Sequence, residues 1–166
     1  MALTTREPVR SRSLAVLVGS GFVVVVALYA TLSNAWTRAN PGWYAGLPQP
    51  PWQPPDWVFG VILPLNFLAL LVVGILLARA DATRASRVLA VLAVSVAFAL
   101  TWAYLFYVPH LLTAAALSLG VAAALTWVVL ALSKRVLGRL GLLLVPYAVW
   151  VTLATSLAAW YAVALG

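Results

Sequence analysis

The chain has 166 residues with a formal net charge of +7 at pH 7, and 65% of its residues are hydrophobic while 8% are charged. Soluble domains are about half apolar and about a quarter charged, so this composition excludes a soluble globular protein and predicts an integral membrane protein. The absence of cysteine excludes disulfide bonds and thiolate chemistry.

Five apolar runs are long enough to cross a membrane as helices, since a bilayer core of about 30 Å needs roughly 20 helical residues. Their approximate ranges are residues 14–33, 58–78, 88–107, 111–132 and 140–165. The runs lack the alternation of membrane barrel strands. The sequence therefore predicts an all-α membrane protein, a five-transmembrane-helix bundle that forms a single domain over residues 1–166.

The first predicted helix has two interpretations. Ser33, Asn34 and Ala35 resemble a small-x-small cleavage site after a basic start, as in a signal peptide. The apolar run from Leu14 to Leu32, however, is longer than the core of roughly 7–15 residues that signal peptides have. We therefore expect this helix to be retained.

Residues 35–57 form the loop between the first and second predicted helices. Within it, residues 41–57 contain six prolines and three tryptophans. Each proline restricts the backbone, so this loop is stiff and has little entropy to lose on ordering. Arg38 and Asp56 bracket the loop, and we consider two states for them: an ion pair that holds the loop closed, or independent solvation.

Nine of the ten cations fall on one side of the predicted membrane. They are Arg6, Arg10 and Arg12 before the first predicted helix, Arg79, Arg84 and Arg87 around the turn between the second and third, and Lys134, Arg135 and Arg139 between the fourth and fifth. The positive-inside rule then predicts a cytoplasmic N-terminus, with the loop and the C-terminus outside. This topology explains the cations better than nucleic-acid binding does, and we expect no nucleic-acid partner.

Side chains for catalysis or metal binding are scarce. The acids Glu7, Asp56 and Asp81 all lie at or beyond the predicted membrane edges, and His110 is the single histidine. One histidine does not supply the three or four ligands of a zinc or iron site, so we predict no catalytic residue and no metal centre. His110 is interpreted as a solvated turn residue, with an axial haem ligand as the alternative.

Two of the eight tryptophans lie inside predicted helices, away from the membrane interfaces where tryptophan is common. They are Trp102 and Trp150, and the indole N–H of each needs a hydrogen-bond partner at that depth. The sequence leaves open whether they line a ligand pocket or pack in the core.

Residues 43–59, WYAGLPQPPWQPPDWVF, resemble the WY-x-x-L-x-K-P-x-W-x-P-P-x-W signature of the TspO/MBR family, the tryptophan-rich sensory or translocator proteins. Residues 146–155, PYAVWVTLAT, are similar to the family pattern P-Y-x-x-W-x-x-x-A-[ST], which opens its fifth helix. Trp102, Phe106 and Tyr107 are similar to its W-x-x-x-F-F on the third helix. The resemblance covers about residues 41–162.

The resemblance implies a homodimer of five-helix bundles, each with a hydrophobic pocket beneath the loop, which then acts as a lid. Family ligands are porphyrins, haem, sterols and synthetic isoquinoline or benzodiazepine-like molecules, and no cofactor is required. The family pocket transfers to Trp52 in the loop, Phe59, Gly60, Ile62 and Leu63 on the second helix, Trp102 and Phe106 on the third, and Trp150, Ala154 and Leu157 on the fifth.

The chain departs from the family pattern at several pocket positions. Leu63 and Phe67 replace a tryptophan and a tyrosine, Ala99 and Ala158 replace asparagines, and Gln49 replaces a lysine. The resemblance therefore implies a pocket that is less polar than usual. Loss of the helix 2 indole also weakens the case for porphyrin degradation, and the sterol-recognition pattern is incomplete.

We predict a multi-pass receptor or sensor of the bacterial cell membrane that binds porphyrin, haem or a similar planar hydrophobic ligand. A transporter of tetrapyrroles or other amphiphiles is one alternative, and a porphyrin-degrading enzyme is another. The near absence of titratable groups argues against an enzyme, and the lack of charged residues within the predicted spans argues against ion coupling. Ala93 and Ala97 form a small-xxx-small pair on the third helix, which we expect at the dimer face or in packing within the protomer.

Overall fold

The computed structural model describes residues 7–39 and 41–165, with side chains for residues 12–39 and 42–165. Arg6, Glu7 and Arg10, which the sequence placed on the cytoplasmic side, lie outside the described side chains. The elements in chain order are α1 (Glu7–Thr37), α2 (Pro41–Ala45), α3 (Asp56–Ala80), α4 (Ala82–Tyr107), α5 (Leu112–Leu137), a 3₁₀ segment (Gly138–Leu144) and α6 (Val145–Leu165). No strand occurs in these ranges, so the all-α prediction is confirmed.

Four continuous helical stretches in the described ranges are long and apolar enough to cross a membrane. They are Arg12–Thr37, Asp56–Ala80, Ala82–Tyr107 and Leu112–Leu165. The last stretch has 54 residues and contains α5, the 3₁₀ segment and α6. The prediction of a multi-pass membrane protein is therefore confirmed.

The helices extend beyond the apolar runs from which they were predicted. The first runs from residue 7 to 37 instead of 14 to 33, because polar residues can continue a helix once it leaves the hydrocarbon layer. Asp81 alone separates α3 from α4 and adopts an extended backbone. Its Oδ1 accepts a hydrogen bond from the Arg84 backbone N–H at 2.9 Å, which caps α4 at its N-terminus.

The fifth predicted helix begins later than expected, at residue 145 instead of 140. Gly138 ends α5 with a φ of 60°, a conformation that glycine adopts without a side-chain penalty. Gly141 then lies against the end of α5, where a Cβ would come within 2.5 Å of the Lys134 backbone nitrogen. These two glycines allow the 3₁₀ segment to fold closely beneath α5.

The long helices pack around one core. Its largest buried side chains include Phe22 from α1, Leu70 from α3, Leu92 from α4 and Leu144 beside α6. Val18, Phe22 and Val26 repeat every four residues, so one stripe of α1 belongs to this core. Lipid tails are as apolar as these side chains, and close packing is therefore what holds the helices together.

The crossing of α1 and α3 depends on Gly74. A Cβ at this position would lie 2.5 Å from Cγ and 2.8 Å from Cβ of Phe22, which is 2% exposed. We expect Gly74→Ala to force α1 and α3 apart and to destabilise the protein by about 1–3 kcal/mol. Thermal unfolding in detergent should show a Tm lower by roughly 3–10 °C.

Gly60→Ala is the matched control for Gly74→Ala on the same helix. A Cβ added at Gly60 meets no other described atom of the protein within 4 Å beyond its own helix backbone. We expect its Tm to stay within about 1 °C of the parent. Equal Tm changes for the two variants would contradict the close approach at Gly74.

Candidate ligand-binding site

Residues 46–55, which we name the strap, are tied to α6 by two side-chain hydrogen bonds. The Trp52 indole Nε1–H donates to Ser156 Oγ at 3.3 Å. The Tyr161 hydroxyl donates to Gln53 Oε1 at 2.8 Å. The Pro-rich part of the loop therefore lies along α6 before α3 begins at Asp56.

A group of aromatic rings joins α2 to the ends of α4 and α6. This group, which we name the lid cluster, comprises Trp43, Tyr44, Trp102, Phe106, Tyr107, His110 and Tyr161. Phe106 lies at its centre, with its ring centroid 5.2 Å from that of Trp43 and 5.6 Å from that of Tyr161. Both pairs are edge-to-face, the arrangement that aromatic quadrupoles favour.

His110 is part of the lid cluster and is half-buried, which differs from the solvated turn residue that the sequence suggested. Its ring stacks on Trp43 with centroids 3.9 Å apart and planes inclined by 25°. Its Nδ1 lies 3.1 Å from the backbone oxygen of Phe106, and its φ is 56°. Sequence reasoning missed this stack because the two residues belong to different segments of the chain.

A second aromatic pair lies between α3 and α6. The ring of Phe59 meets that of Trp150 edge-to-face, with centroids 5.1 Å apart and planes at 79°. Ile62, one turn further along α3, is half-buried. Gly60 and Leu63 are exposed, Leu63 by 38%, so these two predicted site residues lie on a more open face of α3.

The remaining predicted residues lie on α4 and α6. Ala154 is half-buried against the main core, and Leu157 is 7% exposed. Leu157 follows Ser156, the residue that accepts the Trp52 hydrogen bond. The structure thus pairs Phe59 with Trp150 and places Trp52 beside the α6 residues.

Trp102 connects the lid cluster to the main core, since it packs against both. Its indole Nε1 is buried and has no hydrogen-bond partner among the described residues. Buried polar groups are nearly always hydrogen-bonded, and an unpaired donor at this position is available to an acceptor on a ligand. The sequence predicted that the Trp102 N–H needs a hydrogen-bond partner. It did not decide whether Trp102 lines a ligand pocket or packs in the core.

Charged side chains are few near the described site, and the Asp56 carboxylate is close enough to act on Tyr44. Arg84 and Asp81, with Nε and Oδ2 3.4 Å apart, form the one ion pair in the described residues, so Arg38 and Asp56 do not form the pair that was considered. Burial raises the pKa of Tyr44, and the neighbouring Tyr107 and Tyr161 phenols add to this rise. Tyr44 therefore stays protonated at neutral pH, and the lid cluster presents apolar faces and neutral hydroxyls.

Comparison with known proteins identifies the family. The sequence model of the TspO/MBR family matches residues 21–163, which is most of the chain. The chain belongs to the TspO/MBR family. It is also 32% identical over 124 residues to Protein CrtK of Rhodobacter capsulatus, an alignment that covers 71% of this chain and 76% of that relative.

The structure shows where this TspO/MBR protein departs from the family pattern. Ala99 and Ala158 are buried in the core, so no amide projects from these positions. Phe67 meets the ring of Tyr29 edge-to-face with centroids 5.3 Å apart. Asn66 is the buried amide on α3, and its Nδ2 has no partner among the described residues. Polar groups are thus present in the bundle, but at other positions.

Proposed function

We propose that this TspO/MBR protein is a membrane receptor or sensor that binds a porphyrin, such as protoporphyrin IX or haem, or a similar planar hydrophobic ligand. The pocket lies within the bundle beneath the strap and the lid cluster. The observation that carries this proposal is the Phe59–Trp150 pair between α3 and α6, next to the point where the strap joins α3. A flat macrocycle stacks favourably on such rings.

The chemistry of the site favours binding over catalysis. Its rings, hydroxyls and one unpaired indole N–H supply apolar area and neutral hydrogen bonds. Proton transfer, by contrast, needs a titratable group free to reach a substrate, whereas the ring of His110, the single histidine, is stacked on Trp43 and has its Nδ1 3.1 Å from the Phe106 backbone oxygen. A planar ligand with a few polar substituents matches what these residues offer.

We further propose that stretch Leu112–Leu165 crosses the membrane twice, which gives five spans. A straight helix of 54 residues would be about 80 Å long, against a hydrocarbon core of about 30 Å. The turn at Gly138 divides the stretch, and α5 and α6 pack side by side. With a cytoplasmic N-terminus, the C-terminus then lies outside. A C-terminal alkaline phosphatase fusion should be active, and an inactive fusion would contradict this topology.

A homodimer through α4 is proposed because one stripe of that helix is exposed among the described residues. Ala97, Val94 and Phe98 are exposed, whereas Ala93 is half-buried. A stripe with small residues allows two helices to approach closely. Sedimentation in detergent should give the mass of two chains, and Ala97→Trp should give that of one.

Protoporphyrin IX is expected to quench the tryptophan fluorescence of the purified protein with saturation at one ligand per protomer. Trp150→Phe removes the larger ring of the Phe59–Trp150 pair and should weaken binding by about 2- to 10-fold, since such ring contacts contribute roughly 0.5–1.5 kcal/mol. Titration of the two proteins under identical detergent conditions measures the difference.

The control for this titration is Trp127→Phe. Trp127 lies on the exposed side of α5, where its indole donates to Thr152 Oγ1 at 3.1 Å. Its replacement should leave porphyrin affinity unchanged. Quenching that does not saturate, or an affinity that is insensitive to both Trp150→Phe and Trp52→Phe, would refute the proposed function. Bleaching of bound porphyrin under light, beyond that of free porphyrin, would instead indicate degradation.

A further inference from the structure

Basic side chains gather at the end of the bundle that is opposite the lid cluster. This group, which we name the basic end, consists of Arg12 on α1, Arg79 on α3, Arg84 and Arg87 on α4, Lys134 and Arg135 on α5, and Arg139 in the 3₁₀ segment. Each of them is exposed. Among the described side chains, Asp81 is the one carboxylate at this end, and it pairs with Arg84. The other cations have no acidic partner in the described part of the chain.

The beginning of α1 and the end of α3 belong to the same end of the bundle. Phe22 of α1 packs on Gly74 of α3, where a Cβ would lie 2.5 Å from the Phe22 Cγ. One turn away, a Cβ on Gly19 would lie 3.8 Å from the Cβ of Ala78. The two helices therefore run antiparallel, and the described basic residues of both lie just beyond these contacts.

The beginning of α4 and the end of α5 also lie side by side. A short turn joins these helices, so they run antiparallel. The Ser95 and Thr126 hydroxyls are 3.1 Å apart across them. Arg87 precedes Ser95 and Lys134 follows Thr126 by the same number of residues, which corresponds to a rise of about 12 Å along each helix. Arg87 and Lys134 are therefore at the same level of the bundle.

The 3₁₀ segment packs against both α3 and α5 and brings apolar side chains to the basic end. In such a helix, residues three apart share a face. Gly141 and Leu144 are buried and form its inner face. Leu140 and Leu143, which are 52% and 46% exposed, share an outer face, and Arg139 lies on the third face. Exposed leucines therefore lie next to exposed cations.

We propose that the basic end binds an anionic phospholipid, such as phosphatidylglycerol, at the junction of α5 and the 3₁₀ segment. The headgroup phosphate contacts Lys134, Arg135 and Arg139, and an acyl chain lies along Leu140 and Leu143. Basic clusters at the ends of membrane helices attract anionic headgroups, and the leucines here add a surface for the chain. This site goes beyond porphyrin binding and does not depend on it.

Charge and apolar surface together favour a lipid over other anions. A free phosphate, a nucleic acid or an acidic peptide neutralises the cations but leaves Leu140 and Leu143 in contact with water. A zwitterionic lipid covers the leucines but brings its own cation to the phosphate. The membrane-spanning stretches Arg12–Thr37 and Asp56–Ala80 begin or end here, which places the cations at headgroup depth.

The test measures lipid binding to the full-length protein in detergent by native mass spectrometry. Dioleoyl phosphatidylglycerol and dioleoyl phosphatidylcholine are compared, because they differ in the headgroup and share their acyl chains. Each Lys or Arg near an anionic lipid contributes a factor of roughly 5 in affinity, so phosphatidylglycerol should bind at least about 10-fold more tightly. Arg139→Gln should weaken its binding about 5-fold, and the combination with Lys134→Gln and Arg135→Gln at least about 20-fold.

A second triple variant separates a local site from the general positive field of this surface. Arg12→Gln, Arg79→Gln and Arg87→Gln together remove the same charge from the neighbouring helices, and they should weaken phosphatidylglycerol binding by about 5-fold or less. Arg38→Gln, at the other end of the bundle, should have no effect. All these side chains are exposed, so the Tm should stay within about 1 °C of the parent. An equal loss of affinity in both triple variants overturns the proposal.

The leucines test whether the ligand is a lipid or another anion. Leu140→Asn combined with Leu143→Asn should weaken phosphatidylglycerol binding by about 3- to 10-fold and leave the binding of inorganic phosphate unchanged. The proposal is wrong if this variant binds the lipid as well as the parent does, or if phosphatidylglycerol binds no more tightly than phosphatidylcholine. Displacement of the lipid by polyglutamate at equal charge would likewise show that the surface recognises charge alone.

Discussion

A covalent link between residues 53 and 161 is expected to slow protoporphyrin IX binding by at least about 10-fold. The strap is held on α6 by the Tyr161–Gln53 and Trp52–Ser156 hydrogen bonds, 2.8 and 3.3 Å long. Each contributes on the order of 1 kcal/mol net, so thermal motion can release the strap and admit a ligand. A permanent link prevents this opening. A binding rate that is at least 10-fold lower corresponds to a rise of at least about 1.4 kcal/mol in the free energy needed to admit the ligand.

The experiment uses the absence of native cysteine. Gln53→Cys and Tyr161→Cys provide the two attachment points in a chain with no other thiol, and a short bismaleimide joins them. Stopped-flow quenching by protoporphyrin IX then gives the association rate. Linking after the protein is loaded should slow release in the same way.

Two controls separate the link from the substitutions. Each single-cysteine variant, treated with the same reagent, should bind porphyrin at least as fast as the parent, since it has lost the Tyr161–Gln53 hydrogen bond. The double variant without reagent should also bind faster. Equal rates with and without the link would show that the ligand does not pass beneath the strap.

The helical architecture followed from the sequence because apolar runs of membrane length leave the backbone no other way to satisfy its hydrogen bonds. The helix ends did not follow, since hydropathy marks the hydrocarbon layer and not the end of the helix. The single-residue turn at Asp81 illustrates this, as its cap depends on a hydrogen bond to Arg84 that composition does not indicate.

The candidate site was predictable where a local pattern encodes it. The prolines of residues 48–55 indicated a stiff loop, and the match to W-x-x-x-F-F indicated Trp102 and Phe106, whose ring centroids lie 6.0 Å apart. The Tyr161–Gln53 bond joins residues 108 positions apart, and the Trp43–His110 stack joins α2 to the turn between α4 and α5. Such contacts depend on how the helices pack and have no local sequence signal.

The polar groups of the bundle were also predictable from the sequence in part. Loss of the family asparagines at Ala99 and Ala158 was visible in the sequence and indicated a less polar pocket. The structure adds that Asn66, Trp102 and Tyr147 each bury a polar atom without a partner among the described residues. The bundle therefore keeps buried polar atoms on α3, α4 and α6 although two family asparagines are absent, and the sequence alone does not show which of these atoms lack a partner.

Phe106→Ala is expected to cause the largest loss of stability of any substitution described for the lid cluster. The Phe106 ring is 2% exposed and contacts four other rings within 6.0 Å, those of Trp43, Trp102, Tyr107 and Tyr161. Removing a buried phenylalanine side chain costs about 3–5 kcal/mol, through lost contacts and the cavity that remains.

At about 2–4 °C per kcal/mol, the Tm of Phe106→Ala in detergent should fall by roughly 6–20 °C. Leu117→Ala is the control, because Leu117 lies on α5 with 69% of its surface exposed, and it should change the Tm by about 2 °C or less. Phe106→Leu keeps most of the volume and should fall between the two. Because Phe106 also supports Trp43 of α2, the alanine variant should expose the loop to protease at temperatures where the helices persist. A Tm loss no greater than that of Leu117→Ala would show that the loop is held by the strap hydrogen bonds alone.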